Sequence, residues 1–400
     1  MLGIIAGIIV FLLLVILHEL GHFSVAKRAG VKVLEFGIGI PPKLWKYCTD
    51  KTGTEYTINA IPLGGFVRLK GEDPTVPTDF RASDSFIMAS LPKKILILLG
   101  GVAVNFAIAY LGFVAVFWHG VKPLQILPDN MTSSQTQSYL FPTLEHVQKA
   151  GLISGDLTAL DASLVIVMTG GLGAELGLNT GDIITHINQQ KINSLTLSKA
   201  LKSAIGGPIE IKYLRNNTPM TVAGQCPSDN CLLGVMVTQS GSLEILPYNF
   251  DLMQSLVVAW QEIKAETSLT LTSLGSLLTS LVSGDAAQRS QSMSKISGPV
   301  GAVKMGELIL THNGLRGYIA FASMISLALA IFNILPIPAL DGGRIVGVLI
   351  QSIFKLKPES YFTIENYFNM FFFVIMMGFG IYVIFLDLMR FRGVHIPGLG

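Results

Sequence analysis

The chain has 400 residues, 50% of them AVILMFWYC and only 14% charged, with a mean hydropathy of +0.56. Soluble chains carry about 25% charged residues, so this composition excludes a disordered protein and argues against a wholly soluble one. A net charge of +2 argues against a nucleic-acid partner, and three cysteines are too few for a disulfide scaffold or a Cys-rich zinc module.

Residues 1–17 carry no charge, and the run continues helically to about Ala26, which is long enough for a membrane span. No basic flank precedes it and no small-residue cleavage site follows, so it reads as a retained span with its N-terminus outside. Residues 27–94 hold eleven Lys and Arg, and the positive-inside rule assigns that loop to the cytoplasm. A second uncharged span covers 95–118. The 119–317 region is then expected outside, with 119–162 a linker and 241–317 an amphipathic helix plus linker. Within the latter, 252–282 contains Glu262, Lys264 and Glu266 and suits a helix lying at an interface. Two further spans are expected at 318–340 and 367–386, with the 355–366 loop inside and the C-terminus outside. The fold expected is a polytopic α-helical membrane protein of about four transmembrane helices, with the lipid bilayer as its surroundings.

The first span ends in Leu17-His18-Glu19-Leu20-Gly21-His22, an H-E-x-x-H pattern. On a helix, His18 and His22 project from one face a turn apart and offer two nitrogens to one zinc. Glu19 is placed to act as general base toward a water on that metal. Ionisable residues inside a membrane span are expensive, which makes them functional candidates. At 1.5 Å rise per residue, His18 lies roughly 26 Å down the helix, near the cytoplasmic side of a ~30 Å hydrocarbon core. Zinc needs a third protein ligand. Asp341 is the candidate, in Asn333-Ile-Leu-Pro336-Ile-Pro338-Ala-Leu340-Asp341-Gly342-Gly343. The two prolines break a helix there. The alternative is an Asp that merely caps a helix before Gly-Gly.

An HExxH in the first span followed by N-x-x-P-x-P-x-L-D-G in a later one resembles the site-2 protease family of intramembrane zinc metalloproteases. The order of parts is similar to its bacterial branch with periplasmic PDZ domains, the regulator of sigma-E protease (RseP-like) branch. That resemblance implies one Zn2+ per chain held by His18, His22 and Asp341, with Glu19 as the catalytic base. It implies that Asn333 holds substrate or the oxyanion. Gly100-Gly101-x-x-x-Asn105 resembles a further family motif, which makes Asn105 a candidate for positioning substrate. Glu35–Gly39 and Tyr56–Leu69 resemble the family's membrane-associated β-hairpin region, with Pro62, Gly64 and Gly65 at its turn. Such a hairpin pairs with an extended substrate by strand addition, so Gly64 and Gly65 are also candidates for substrate positioning. Ser297–Gly301 resembles the stretch before the third span.

Residues 163–240 read as a PDZ-like α+β domain expected in the periplasm. Leu164–Val167 is a strand, and Ala174–Ile184 resembles the A-x-x-A-G-L-x-x-G-D-x-I signature. His186–Asn188 continues a strand, Leu195–Ala204 suits the groove helix, Ile209–Leu214 is a further strand, and Leu232–Val237 closes the sheet. A peptide C-terminus is the ligand such a groove takes. Lys149–Asp156 echoes the signature within the linker. Cys226 and Cys231 fall together and read either as a disulfide suited to an oxidising compartment or as two free thiols in a turn. The implied activity is zinc-dependent endoproteolysis of single-pass transmembrane substrates, for example an anti-sigma factor, in a bacterial inner membrane. The competing readings are a membrane-anchored protease of non-membrane substrates and a PDZ-bearing adaptor.

Overall fold

A computed structural model describes residues 2–72, 82–125, 138–154, 163–169, 171–192, 196–227, 231, 233–240, 244–282 and 298–391. The chain opens with α1 (Leu2–Ala29), β1 (Val33–Thr49), β2 (Glu55–Leu69) and α2 (Leu91–His119). Next come α3 (Leu144–Lys149), β3 (Ile153–Ser154), β4 (Ser163–Met168), α4 (Gly171–Glu175), β5 (Ile183–Ile187) and β6 (Gln190–Lys191). Then follow α5 (Leu197–Ser203), β7 (Pro208–Arg215), β8 (Thr218–Gln225), β9 (Met236–Ser240) and β10 (Glu244–Ile245). The chain closes on α6 (Leu252–Val282), α7 (Pro299–Ile334), α8 (Asp341–Ile353) and α9 (Pro358–Phe391). It divides into two compact units: Met1–Val121 with Asn249–Thr270 and Ala302–Ile381, and Lys122–Tyr248 with Leu271–Gly301 and Tyr382–Gly400.

Among the described residues, four helices are long and apolar enough to cross a membrane: Ile5–Ala29, Leu91–His119, Pro299–Ile334 and Thr363–Met389. Local chemistry sets their ends. α1 stops at Gly30, whose φ of 82° no L side chain favours. There Gly30 N–H donates to Lys27 O and Val31 N–H to Ala26 O, the paired bonds of a Schellman motif. α2 opens with Pro92 in its first turn and ends at Gly120 in the left-handed region. The third span differs from the 318–340 expected. α7 begins at Pro299, bends at Gly314 and stops at Ile334, because Pro336 and Pro338 cannot continue the hydrogen-bond ladder. The 252–282 stretch is one helix, α6, as its amphipathic pattern predicts.

In the first unit β1 and β2 pair, and each strand doubles back on itself. Phe36, Gly37 and Ile38 face Val67, Phe66 and Gly65 on one edge, and Tyr56, Thr57 and Ile58 on the other. Lys43–Thr49 then pairs with Asn59–Glu55. The tight turn between the strands is therefore at residues 50–54, not at Pro62, Gly64 and Gly65, which lie at the fold-back within β2. Asp50 builds the turn: its Oδ1 accepts from the backbone N–H groups of Thr52 at 2.8 Å and Thr54 at 3.0 Å. The Lys27 ammonium beside Asp50 holds its carboxyl well below the usual carboxylate range. Ala26, Val31, Val33, Leu69, Phe86, Ile97, Leu98 and Val348 pack into one apolar cluster that ties this sheet to α1, α2 and α8.

The second unit carries a sheet in the order β8-β7-β5-β4-β9, with β6 paired to β5. Its core is Leu164, Ile166, Ile184, Ile187, Ile209 and Ile211, packed on Leu178 and Leu201. The β5 strand ends earlier than expected: Asn188 and Gln189 have φ of 46° and 65° and form the turn into β6. The closing strand lies later than 232–237, at β9, which pairs with β4. Strand β8 was not expected from the sequence at all. Cys226 and Cys231 are disulfide-bonded. The 119–162 stretch contains α3 and β3, and β3 pairs with β10. Leu195, Leu232, Gly155, Asp156 and Ser297, named in the sequence patterns, lie outside the described residues. Asp387 accepts from Gly298 N–H at 2.9 Å and Gly301 N–H at 2.8 Å with Oδ2. It thereby caps the N-terminus of α7.

Candidate metal centre

His18 and His22 stand one turn apart on α1, and both are buried. Their Nε2 atoms are 3.1 Å apart. Asp341, in the first turn of α8, brings Oδ2 to 3.2 Å from each Nε2. Four ligands arranged tetrahedrally around zinc at about 2.0–2.1 Å are separated from one another by about 3.3 Å. The three observed separations therefore match the edges of a zinc coordination tetrahedron.

The donor chemistry fits a cation as well. His22 Nδ1 lies 2.8 Å from the backbone carbonyl of Ile97, which can only accept. The hydrogen of neutral His22 is therefore on Nδ1 and its Nε2 presents a lone pair. Asp341 Oδ2 is buried without a hydrogen-bond partner, and the helix it opens has no side-chain cap bond. A carboxylate oxygen converging with imidazole lone pairs, and serving no cap, is the arrangement a metal ion relieves.

Helix α2 supplies the wall of the site through one stripe at four-residue spacing. Ile97 O meets His22. Gly101 faces both histidines: a Cβ there would sit 2.5 Å from His22 Nε2 and 2.6 Å from His18 Nε2. The Asn105 side chain lies 3.3 Å from His18 Nδ1, and its backbone carbonyl accepts from Ser326 Oγ at 2.8 Å. Gly21 and Gly100 let the two backbones touch, since a Cβ on either would strike the other's carbonyl. The Gly-Gly-x-x-x-Asn pattern thus acquires a concrete geometry.

The N–H groups of the loop 335–340 find partners within the chain turn itself and on α9. Ile337 N–H donates to Leu335 O at 2.7 Å and Leu340 N–H to Ile337 O at 3.1 Å. Ala339, at φ 72°, donates to Asn369 Oδ1 at 3.2 Å. Gly342 and Gly343 pack so closely under the carbonyls of Ile334, Leu335 and Ile337 that neither position has room for a Cβ.

Glu19 is half-buried beside His18 and contacts the sheet: a Cβ on Gly65 would lie 3.3 Å from Glu19 Cγ. Gly65 pairs with Ile38, and its neighbour Gly64 has φ 94°. Asn333 sits half-buried in the last turn of α7, and none of the described contacts engages its amide. Four residues near the site escaped the sequence reading: Glu72, Arg344, Asn366 and Asn369. Arg344, one turn after Asp341, forms an ion pair with Glu72. Asn366 Nδ2 donates to Glu72 O at 2.8 Å, and Asn369 holds the broken loop. A lone arginine one turn beyond Asp341 was the available signal for the first pair, but its partner lies 272 positions away.

An apolar helical frame holding two histidines and a carboxylate at zinc spacing, with a glutamate adjoining the first histidine, defines a membrane protein with a metallohydrolase-type centre. The model of peptidase family M50 matches residues 6–378. The chain belongs to peptidase family M50, the site-2 protease family, and is a metalloprotease. Curated relatives named "Putative zinc metalloprotease" include one from Helicobacter pylori strain J99, 28% identical over 96% of this chain and 97% of its own length. One from Nostoc sp. is 26% identical over 88% and 86%, and one from Streptococcus pyogenes serotype M3 is 28% identical over 92% and 95%.

Proposed function

We propose that this protein cuts single-pass membrane proteins within or beside their transmembrane segment, as an RseP-like member of its family. The observation that supports the reading is that the candidate ligands lie on and beside helices long and apolar enough to cross a membrane. His18 and His22 lie in a membrane-length apolar helix, and Asp341 follows another after a broken loop.

In this reading His18, His22 and Asp341 hold one zinc ion. Bound zinc supplies a Lewis acid and an acidified water. Glu19 takes the proton from the attacking water and passes it to the leaving amine. The Asn333 amide hydrogen-bonds the substrate oxygen on which negative charge develops. Gly64 and Gly65, beside Glu19, present backbone to an unwound substrate strand. Leu44, Trp45 and Tyr47 are exposed on the outer segment of β1, a composition suited to the membrane–water boundary. The unit containing β4–β9 is read as a PDZ-like domain in the periplasm whose groove takes a peptide C-terminus. The protein is placed in a bacterial inner membrane, with an anti-sigma factor as the kind of substrate expected.

The test uses purified full-length protein and a substrate comprising a transmembrane helix with short flanks. Glu19→Gln is expected to keep one zinc per chain and to lower cleavage by at least about 100-fold, the range for a positioned general base. Mass spectrometry of wild-type products should place the cut inside or adjoining the apolar segment. Retained cleavage by Glu19→Gln, or cuts confined to soluble flanks, would refute the reading.

A further inference from the structure

We infer that Asn105 is a positioning residue that fixes the hydrogen of His18 on Nδ1, leaving Nε2 free to bind the metal. The inference rests on the zinc reading above and concerns how the chain prepares for it.

The two histidines are supported differently. His22 Nδ1 faces a backbone carbonyl, which admits only one tautomer. His18 Nδ1 faces the Asn105 amide at 3.3 Å. An amide can turn either end forward, because its oxygen and nitrogen have nearly the same shape. His18 decides between them. Its Nε2 points at His22 Nε2 and Asp341 Oδ2, so a ligating His18 must carry its hydrogen on Nδ1. Nδ1–H then needs an acceptor, and the amide oxygen is the end that provides one.

Asn105 is fully buried. In either orientation one end of its amide meets His18 and the other has no hydrogen-bond partner among the described residues, so the choice rests on what a ligating His18 requires at Nδ1. The residue is also held in place from both sides. Ser326 Oγ binds its backbone carbonyl, and Gly101, one turn earlier, lets α2 approach the histidines closely. Ile97, Gly101 and Asn105 thus form one stripe of α2 that supports His22 at one end and His18 at the other.

The test measures zinc affinity by chelator competition on full-length protein in detergent, with zinc alone as the probe. Thermal unfolding of the zinc-free forms is recorded in parallel. Asn105→Leu keeps the bulk and removes the acceptor, and should weaken zinc binding about 10–100-fold, as loss of a partner behind a ligating histidine does. Asn105→Asp restores an acceptor and should bind zinc nearly as well as wild type. If Asn105→Leu does not fold, Asn105→Ala replaces it in the same comparison with the same expectation. Unchanged or tighter zinc binding without the acceptor would overturn the inference. So would equal weakening in the Asp variant, which would indicate packing alone. A wild-type chain that takes up no zinc would overturn the zinc reading itself, and this inference with it.

Discussion

At the residue scale, the centre depends as much on absent side chains as on present ones. Gly101 is the clearest case, because the space its Cβ would fill holds the ring atoms of His18 and His22. Gly101→Ala adds a single methyl group, which in an ordinary helix is favourable by up to about 1 kcal/mol. Here the methyl must displace a ligand ring or separate α1 from α2. The expected outcome is zinc affinity reduced by about 10-fold or more, as when a ligand's support is disturbed, with helical content unchanged by circular dichroism. Full zinc affinity in this variant would mean that the helices separate freely at this point. The HExxH and LDG residues were legible in the sequence because their types are costly in apolar surroundings. The role of Gly101 was not, since a glycine's spacing does not reveal what occupies the place of its missing side chain.

At the element scale, the β-rich unit rests on a polar clasp as well as on its apolar core. Asp182, buried at the start of β5, receives two bonds from Arg215 at the end of β7, Nε to Oδ1 and Nη2 to Oδ2, both at 2.8 Å. Asn179 N–H adds a third at 2.7 Å. Burial pushes the Asp182 carboxyl up, but Arg215 and Asn179 pull harder and hold it below its ordinary range. A depressed carboxylate contributes stability above its unfolded value of about 3.9, and that contribution is lost as pH falls through the folded value. Arg215→Leu leaves the Asp182 carboxylate without its cation and should open a stability gap from wild type at neutral pH, read as a lower urea midpoint. Urea-dependent proteolysis of the full-length protein, with thermolysin at neutral pH and pepsin below the carboxylate range, should show that gap narrowing in acid. A gap of equal size at both pH values would mean that Arg215 acts through packing alone. Strand β8 escaped the sequence reading because its burial alternates weakly and most of its residues are exposed. An edge strand of this kind is specified by its ladder to β7 rather than by its own periodicity.

At the scale of the whole molecule, charge distribution carries the proposed orientation. Eleven basic residues in 27–94, four of them at the facing ends of the first two membrane-length helices, assign the sheet-bearing loop to the cytoplasmic side. The cysteines provide a direct test. Cys226 and Cys231 are bonded to each other, and Cys48 is free and exposed on β1. A membrane-impermeant maleimide should therefore leave the wild-type protein unlabelled in intact spheroplasts and label it in inverted vesicles. The opposite pattern would reverse the orientation proposed for the protein and the depth inferred for His18.

The amino-acid sequence by itself determined which segments are long and apolar enough to span a membrane, and which residues are candidates to carry the chemistry. Both follow from local rules: the length of an uncharged run, the i,i+4 spacing of His18 and His22, and two prolines that end a helix. Only the tertiary structure decided how those residues meet. Asp341 reaches the histidines across more than 300 positions because glycines at 21 and 100 let α1 and α2 touch and Asn369 holds the broken loop. It likewise decided that the turn of the β1–β2 sheet lies at Asp50–Thr54, where the Asp50 carboxylate collects the turn's amides. Pairings of this kind depend on complementary surfaces from separate elements, and the pattern within any one element does not contain them.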